Sequence, residues 1–178
     1  NDNKKTWTNK QIVQRSCGKF RREWESSSMK DKSYTPENYP ILRYGDVLLM
    51  LAEAENEAHQ GPTDLAYECI NEIRQRAGIS KLEGLSYTDF QQAVRDERAR
   101  ELCFESLRKY DLVRWGIYVE AVHDKLGAAT QDKRWATGNQ FIGARDYAAR
   151  TQEKHQFLPI PTKELDVNGK LEQNKYWQ

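Results

Sequence analysis

Histidine and cysteine are scarce in this chain and are never grouped: His59, His123 and His155 stand far apart, and so do Cys17, Cys69 and Cys103. There is no CxxC pair, HExxH helix, GxSxG elbow or glycine-rich phosphate loop, so the common zinc, hydrolase and nucleotide signatures are missing and no cofactor is called for. The cysteines read as small packing residues rather than a disulfide frame. No apolar run approaches the ~18 residues of a membrane-spanning helix. The polar start NDNKKTWTNK does not read as a signal peptide, which puts any targeting information outside this chain. Net charge is only +1 and no basic block rises above a mixed-sign background. The electrostatic footprint of a nucleic-acid partner is therefore lacking.

What the chain does have is helical periodicity in a very polar setting. Its 178 residues suffice for a sizeable core, yet 31% are charged and the mean hydropathy is −0.94. Residues 1–40 hold Trp7, Trp24, Phe20, Tyr34 and Tyr39 among polar residues without sustained period, and read as a loop-rich segment with short extended pieces at Ile12–Val13 and Lys19–Trp24. The character changes at Ile41. Tyr44, Val47, Leu48, Leu51 and Ala58 recur at helical spacing up to a stop at Gly61–Pro62, and Ala52, Ala54 and Ala58 keep one side small. A second helix opens at a Thr63 or Asp64 cap and closes at Gly78; the short connection makes the pair antiparallel. Such a pair resembles a tetratricopeptide unit, which cannot bury both faces alone.

The stretch Thr88–Gly116 predicts one long helix with a bent tail, begun by a capping box at Ser86 or Thr88. Phe90, Val94, Phe104, Leu112 and Trp115 fall on one stripe, and Glu97, Glu101 and Arg108 share it. Carboxylates on an apolar face are either a catalytic acid and base or an ion-pair network between packed helices. Arginines surround them, and nearby cations keep carboxylates ionised instead of tuning one towards neutrality. The expected network comprises Arg43, Glu97, Arg98, Glu101, Arg108 and Arg114, with both carboxylates bonded to arginines from this set. Beyond it, a short helix is expected in IYVEAVHDKLGAA, an exposed loop at Thr130–Gly143 and a modest helix at Ala144–Lys154. The tail FLPIPTKELDVNGKLEQNKYWQ contributes two structure-fixing prolines, a helical turn and a tight turn at Asn168–Gly169.

Three segments, YPILRYGDVLLMLAEAENEA, RDERARELCFESLRKYDLVRWG and LPIPTKELDVNGKLEQN, together resemble the C-terminal portion of SusD/RagB-like proteins. The family's motifs are matched in order by Arg43, Asp46, Glu53, Glu97, Arg98, Glu101, Glu105, Arg108, Asp111, Arg114, Pro159, Pro161, Glu164, Asn168, Gln173 and Asn174, while Ser106 stands where the family usually has glycine. The resemblance implies a mainly α, SusD-like fold with tetratricopeptide-like helix pairs and long irregular ligand-binding loops. Residues 41–178 would form its C-terminal domain, and residues 1–40 would continue from an N-terminal half that is missing here.

The same resemblance implies an outer-membrane, surface-exposed lipoprotein, anchored through a missing N-terminal cysteine. Its implied partners are an oligosaccharide and a SusC-like TonB-dependent transporter to which the ligand passes without bond cleavage. Two other readings stand beside it: a peptide-binding RagB-like member, and a tetratricopeptide-like interaction scaffold with no small ligand. A sugar stacks its C–H face on an aromatic ring, so tryptophans in irregular sequence are the candidate ligand contacts: Trp7, Trp24 and Trp135. Trp115, inside a helical motif, reads as core.

Overall fold

The computed structural model describes residues 17–26, 28, 35–128 and 142–178. Trp7, Trp135 and the expected strand at Ile12–Val13 lie outside them. Among the described residues the regular elements are helical and no strand occurs, as the SusD-like, mainly α expectation requires. The chain divides into two compact units, Cys17–Arg108 and a second one whose described part is Lys109–Gln178.

The first unit is a three-helix arrangement of α1 (Tyr44–His59), α2 (Asp64–Arg76) and α3 (Tyr87–Glu101). Both expected caps form: Thr63 Oγ1 accepts from the Ala66 N–H at 3.1 Å, and Ser86 Oγ from the Asp89 N–H at 3.2 Å. Helix α2 closes on Gly78 at φ +73°, where the Ile79 N–H reaches the Arg74 carbonyl at 3.0 Å. The core joins Leu48, Leu49 and Ala52 of α1 to Ala66, Cys69, Ile70 and Ile73 of α2 and to Phe90 and Val94 of α3. Tyr67 meets the Phe90 ring edge-on at 5.1 Å.

Helix α1 is rotated relative to the periodicity reading. Leu48, Leu49, Ala52 and Asn56 face inward, whereas Tyr44, Val47, Leu51, Ala54 and Ala58 are exposed. Polar anchors explain the rotation: Asp46 is buried against Arg98, and Asn56 donates to the Tyr87 carbonyl at 3.2 Å. A buried polar group must be paired, so these two positions fix which face turns in.

The long helix expected over Thr88–Gly116 is broken. Helix α3 ends at Glu101, the chain turns through residues 102–107, and α4 begins at Arg108 and runs to Arg114. Phe104 and Ser106 both adopt left-handed backbone, at φ +64° and +59°, so the helical register is lost there. Phe104, expected on the apolar stripe, is 69% exposed; Leu102 is buried in its place. Likewise the piece expected to be extended at Lys19–Trp24 contains a 3-10 turn, Arg22–Trp24.

In the second unit, Leu112 of α4, Tyr118 of α5 (Tyr118–Glu120), Val122 and Ala148 of α6 (Ile142–Arg150) make a smaller core, with Trp115 half-buried against it. Helix α5 runs directly into a π-helical stretch, Ala121–Leu126, from which His123 donates its Nε2–H to the Thr151 carbonyl at 2.8 Å. The tail is closed by two neighbouring side chains. The Gln173 amide accepts from the Ile160 N–H at 2.8 Å and donates to the Ile160 carbonyl at 2.9 Å, while Asn174 donates to the Leu158 carbonyl at 2.6 Å. Pro159 and Pro161 have no N–H to offer, so Ile160 is the residue of that trio that can be held from both sides. Between these ends lie α7 (Thr162–Val167) and a turn closed by the Leu171 N–H on the Asn168 carbonyl.

The left-handed backbone at Ser106 generates a direct test. Ser106→Gly removes the Cβ penalty and is expected to raise stability by about 1 kcal/mol in urea unfolding of the full-length protein. A loss of stability would show that the hydroxyl makes a contact worth more than the strain.

Candidate functional site

Among the described residues two places concentrate polar chemistry, one in each unit. The first is the end of α3. Arg43, the extended residue preceding α1, sends Nε to Glu105 Oε2 at 2.7 Å and Nη2 to Glu105 Oε1 at 2.9 Å. Its Nη1 reaches Glu101 Oε1 at 2.6 Å, and Nη2 also donates to the Glu101 backbone carbonyl at 2.6 Å. Lys19 Nζ donates to the same carbonyl at 2.7 Å and pairs with the Glu105 carboxylate. An orphan carbonyl at a helix C-terminus, carrying the negative end of the dipole, thus receives two cations.

Around this point lie the other cross-helix pairs. Arg98 donates to Asp46 at 2.8 Å with both side chains buried, and Arg76 reaches Glu101 at 2.5 Å. Glu97, only 2% exposed, takes its partner from α2, Arg74 at 2.7 Å, and lies 3.5 Å from Arg100 one turn along. Arg74 is outside the expected set of Arg43, Arg98, Arg108 and Arg114, because spacing within the motif carries no information about a neighbouring helix that supplies the partner. Arg108 donates to the Arg95 carbonyl at 3.0 Å, and Arg114 pairs with Asp111 at 3.1 Å in the second unit. Gly45 makes room for the cluster: a Cβ there would lie 2.7 Å from Arg43 Nη1 and 3.1 Å from Glu101 Oε1.

Titration follows the pairing. Burial alone would raise the Glu105 carboxyl, but hydrogen bonds from Arg43 and Lys19 and their charges outweigh it and hold the group below its ordinary value. The hydrogen bond to Glu105 likewise raises Arg43, against the opposing effect of burial. A general acid needs its carboxyl pushed the other way. This arrangement can lock helices together, and its Glu105 carboxyl is held away from the range a general acid needs.

The second place is a cavity of about 400 Å³ lying wholly in the second unit. Its walls include Tyr118, Tyr147, Phe157 and Trp177, with Asp146 and Arg150 among its polar groups. Tyr118 is buried and hydrogen-bonded, hydroxyl to hydroxyl, to Tyr147. Burial, then that bond, pushes its phenol up to about 12. The Trp177 indole N–H donates to the carbonyls of Lys154, at 3.1 Å, and Phe157, at 2.9 Å, so it holds the Phe157 wall in place. Among the tryptophans picked from sequence, Trp24 is 69% exposed on its 3-10 turn, with the Arg21 guanidinium 5.4 Å from its ring. Sequence reasoning passed over Tyr118, Tyr147 and Trp177, which come together only through the folding of separated segments; the one available signal was a tryptophan in an ordered tail.

Comparison with known proteins bears on what these places serve. A model of the SusD family matches residues 2–177. The chain belongs to the SusD family. It is similar to two SusD-like proteins of Formosa agariphila, at 40% identity over 139 residues (76% of this chain, 23% of the relative) and 29% over 148 residues (77% and 25%). Among solved structures it is similar to a SusD homolog from Bacteroides thetaiotaomicron, with a TM-score of 0.64 and 39% identity over 75% of this chain and 26% of that one. A SusD superfamily protein from Bacteroides vulgatus matches with a TM-score of 0.56 and 30% identity, over 76% of this chain and 27% of that one. The chain therefore spans about a quarter of the length of the curated relatives it matches. In this SusD-family chain the motif residues Arg43, Asp46, Glu97, Arg98, Glu101 and Glu105 sit in the ion-pair cluster, and Gln173 and Asn174 in the tail clasp. The family's motifs mark the scaffold.

A carboxyl whose native value is depressed contributes stability that is complete above its ordinary pKa and is lost as pH falls through the lower native value. The melting temperature of the full-length protein is therefore expected to fall below pH 4.5, the ordinary value for Glu105. Glu105→Gln should flatten that acidic limb in a pH series of thermal melts. An unchanged limb would show that Glu105 gains nothing from Arg43 and Lys19.

Proposed function

We propose that the full-length protein is a surface glycan-binding protein of the SusD type, which captures an oligosaccharide at the outer membrane and passes it uncut to a SusC-like TonB-dependent transporter. The observation that carries this reading is the family match across residues 2–177. The ion-pair cluster agrees with it, because Glu97 and Glu101 are spent on arginines of neighbouring segments, Arg74, Arg43 and Arg76, as cross-links of a scaffold are. Residues 41–178 act as the C-terminal SusD domain, with residues 1–40 joining it to the preceding part of the protein, and a lipid anchor upstream holds the whole at the cell surface. No described helix is long and apolar enough to cross a membrane, so attachment through this part does not rely on a spanning helix among the described residues.

Within this reading Trp7, Trp24 and Trp135 contribute stacking planes to the ligand. Trp24 has the exposure for it, and the Arg21 guanidinium steadies the ring while adding a donor beside it. Base- and sugar-type stacking on an aromatic needs one accessible face and no bond-breaking chemistry.

The full-length protein on a glycan array is expected to retain an oligosaccharide and release it unshortened. Trp24→Ala should weaken that binding about tenfold with an unchanged melting temperature, because an exposed ring contributes little packing. Shortened sugars in the eluate would make it an enzyme, and retention of peptides with no glycan would make it a peptide carrier.

A further inference from the structure

The cavity of the second unit has features that the family's scaffold motifs do not explain. Its α6 rim carries Asp146 and Arg150, one helical turn apart, a spacing at which opposite charges usually pair. Here they do not, and neither side chain is engaged by another described residue. Between them in sequence stands Tyr147, 49% exposed although its hydroxyl is already bonded to Tyr118, and the opposite segment supplies Phe157, 51% exposed. The aromatic walls are held from behind: Tyr118 is buried under Tyr147, and the Trp177 N–H fixes the Phe157 backbone. Rigid apolar planes, an unspent acceptor and an unspent donor thus converge on a space whose volume, about 400 Å³, lies in the range of small-molecule sites.

We infer that this cavity binds one pyranose unit of a neutral glycan, with Tyr147 and Phe157 against the sugar's C–H face and Asp146 and Arg150 bonding its hydroxyls. This rests on the glycan-binding reading proposed above and adds to it a subsite independent of Trp24. The chemistry selects the class. A hydroxyl both donates and accepts, so adjacent hydroxyls satisfy a carboxylate and a guanidinium together. A purely apolar side chain would make no use of the two rim groups. A phosphate or uronate would meet Arg150 and Lys109 but also Asp146 in the same lining, so glucuronate is the probe that separates an acidic from a neutral sugar.

The test uses the full-length protein and saturation-transfer NMR with the methyl pyranosides of glucose, galactose and mannose, sodium glucuronate, and the dipeptide Phe-Leu as probes. Binding of the oligosaccharide found on the array is measured by calorimetry in parallel. At least one methyl pyranoside is expected to give a signal that is lost in Asp146→Ala/Arg150→Ala and in Phe157→Ala, and is retained in Trp24→Ala. The double variant should bind the oligosaccharide at least about tenfold more weakly, with an unchanged melting temperature, since both residues are exposed. If the oligosaccharide binds the wild type, and either the double variant binds it equally well or no pyranoside binds, the subsite is refuted while the SusD-type function stands. If glucuronate or Phe-Leu alone occupies the cavity, the assignment to a neutral sugar is refuted. If neither oligosaccharide nor pyranoside binds the wild type, both proposals fall.

Discussion

The Arg43 guanidinium is the contact on which the end of α3 depends. It precedes α1, yet its bonds go to the end of α3 and to the turn beyond: two to the Glu105 carboxylate, one to the Glu101 carboxylate and one to the Glu101 carbonyl. A planar fork of donors suits this task, because two parallel bonds to a carboxylate fix direction as well as distance. Lys19 joins at the same carbonyl and carboxylate, and the Tyr39 hydroxyl donates to the Glu105 carbonyl at 2.5 Å. Segments far apart in sequence therefore meet where one helix must stop. The left-handed residues Phe104 and Ser106 lie on either side of Glu105, and the strain they carry is the cost of turning that carboxylate inward.

The remaining charged pairs extend the same logic along the helices. Asp46 with Arg98 and Glu97 with Arg74 tie α3 to α1 and to α2. Buried pairs of this kind add little net stability over apolar residues of equal size, but stripping one partner strands the other at about 3–5 kcal/mol. They therefore act most strongly on register, deciding which faces of α1 and α3 turn towards each other. The result is a core of modest size, Leu48 to Val94, clamped by ions at its edge. The exposed aromatics proposed as ligand contacts, Trp24, Tyr147 and Phe157, lie outside that core. Scaffold and candidate binding surface thus draw on different residues, and one can vary without the other.

Much of the scaffold was legible in the sequence, for identifiable reasons. The caps Thr63 and Ser86 and the stop at Gly78 are local signals that depend on a few neighbouring residues, and each formed as read. The rotation of α1 was not legible, because apolar periodicity allows two neighbouring faces and the deciding groups, Asp46 and Asn56, act through partners on α3. The break after Glu101 escaped for a similar reason: residues 102–107 contain neither proline nor glycine, and the contacts that hold Glu105, from Arg43, Lys19 and Tyr39, come from segments far away in sequence. The Glu97–Arg74 pair and the cavity around Tyr147 are assembled from separated segments, which spacing within one segment cannot reveal.

Arg43 and Glu105 act as one unit holding the end of α3. A double-mutant cycle in the full-length protein, with Arg43→Met, Glu105→Leu and the pair together followed by urea unfolding, measures that coupling directly. The account predicts single losses that are far from additive, with an interaction energy of about 2 kcal/mol or more and a double variant nearer the wild type than the sum of the singles requires. Additivity within about 0.5 kcal/mol would contradict it.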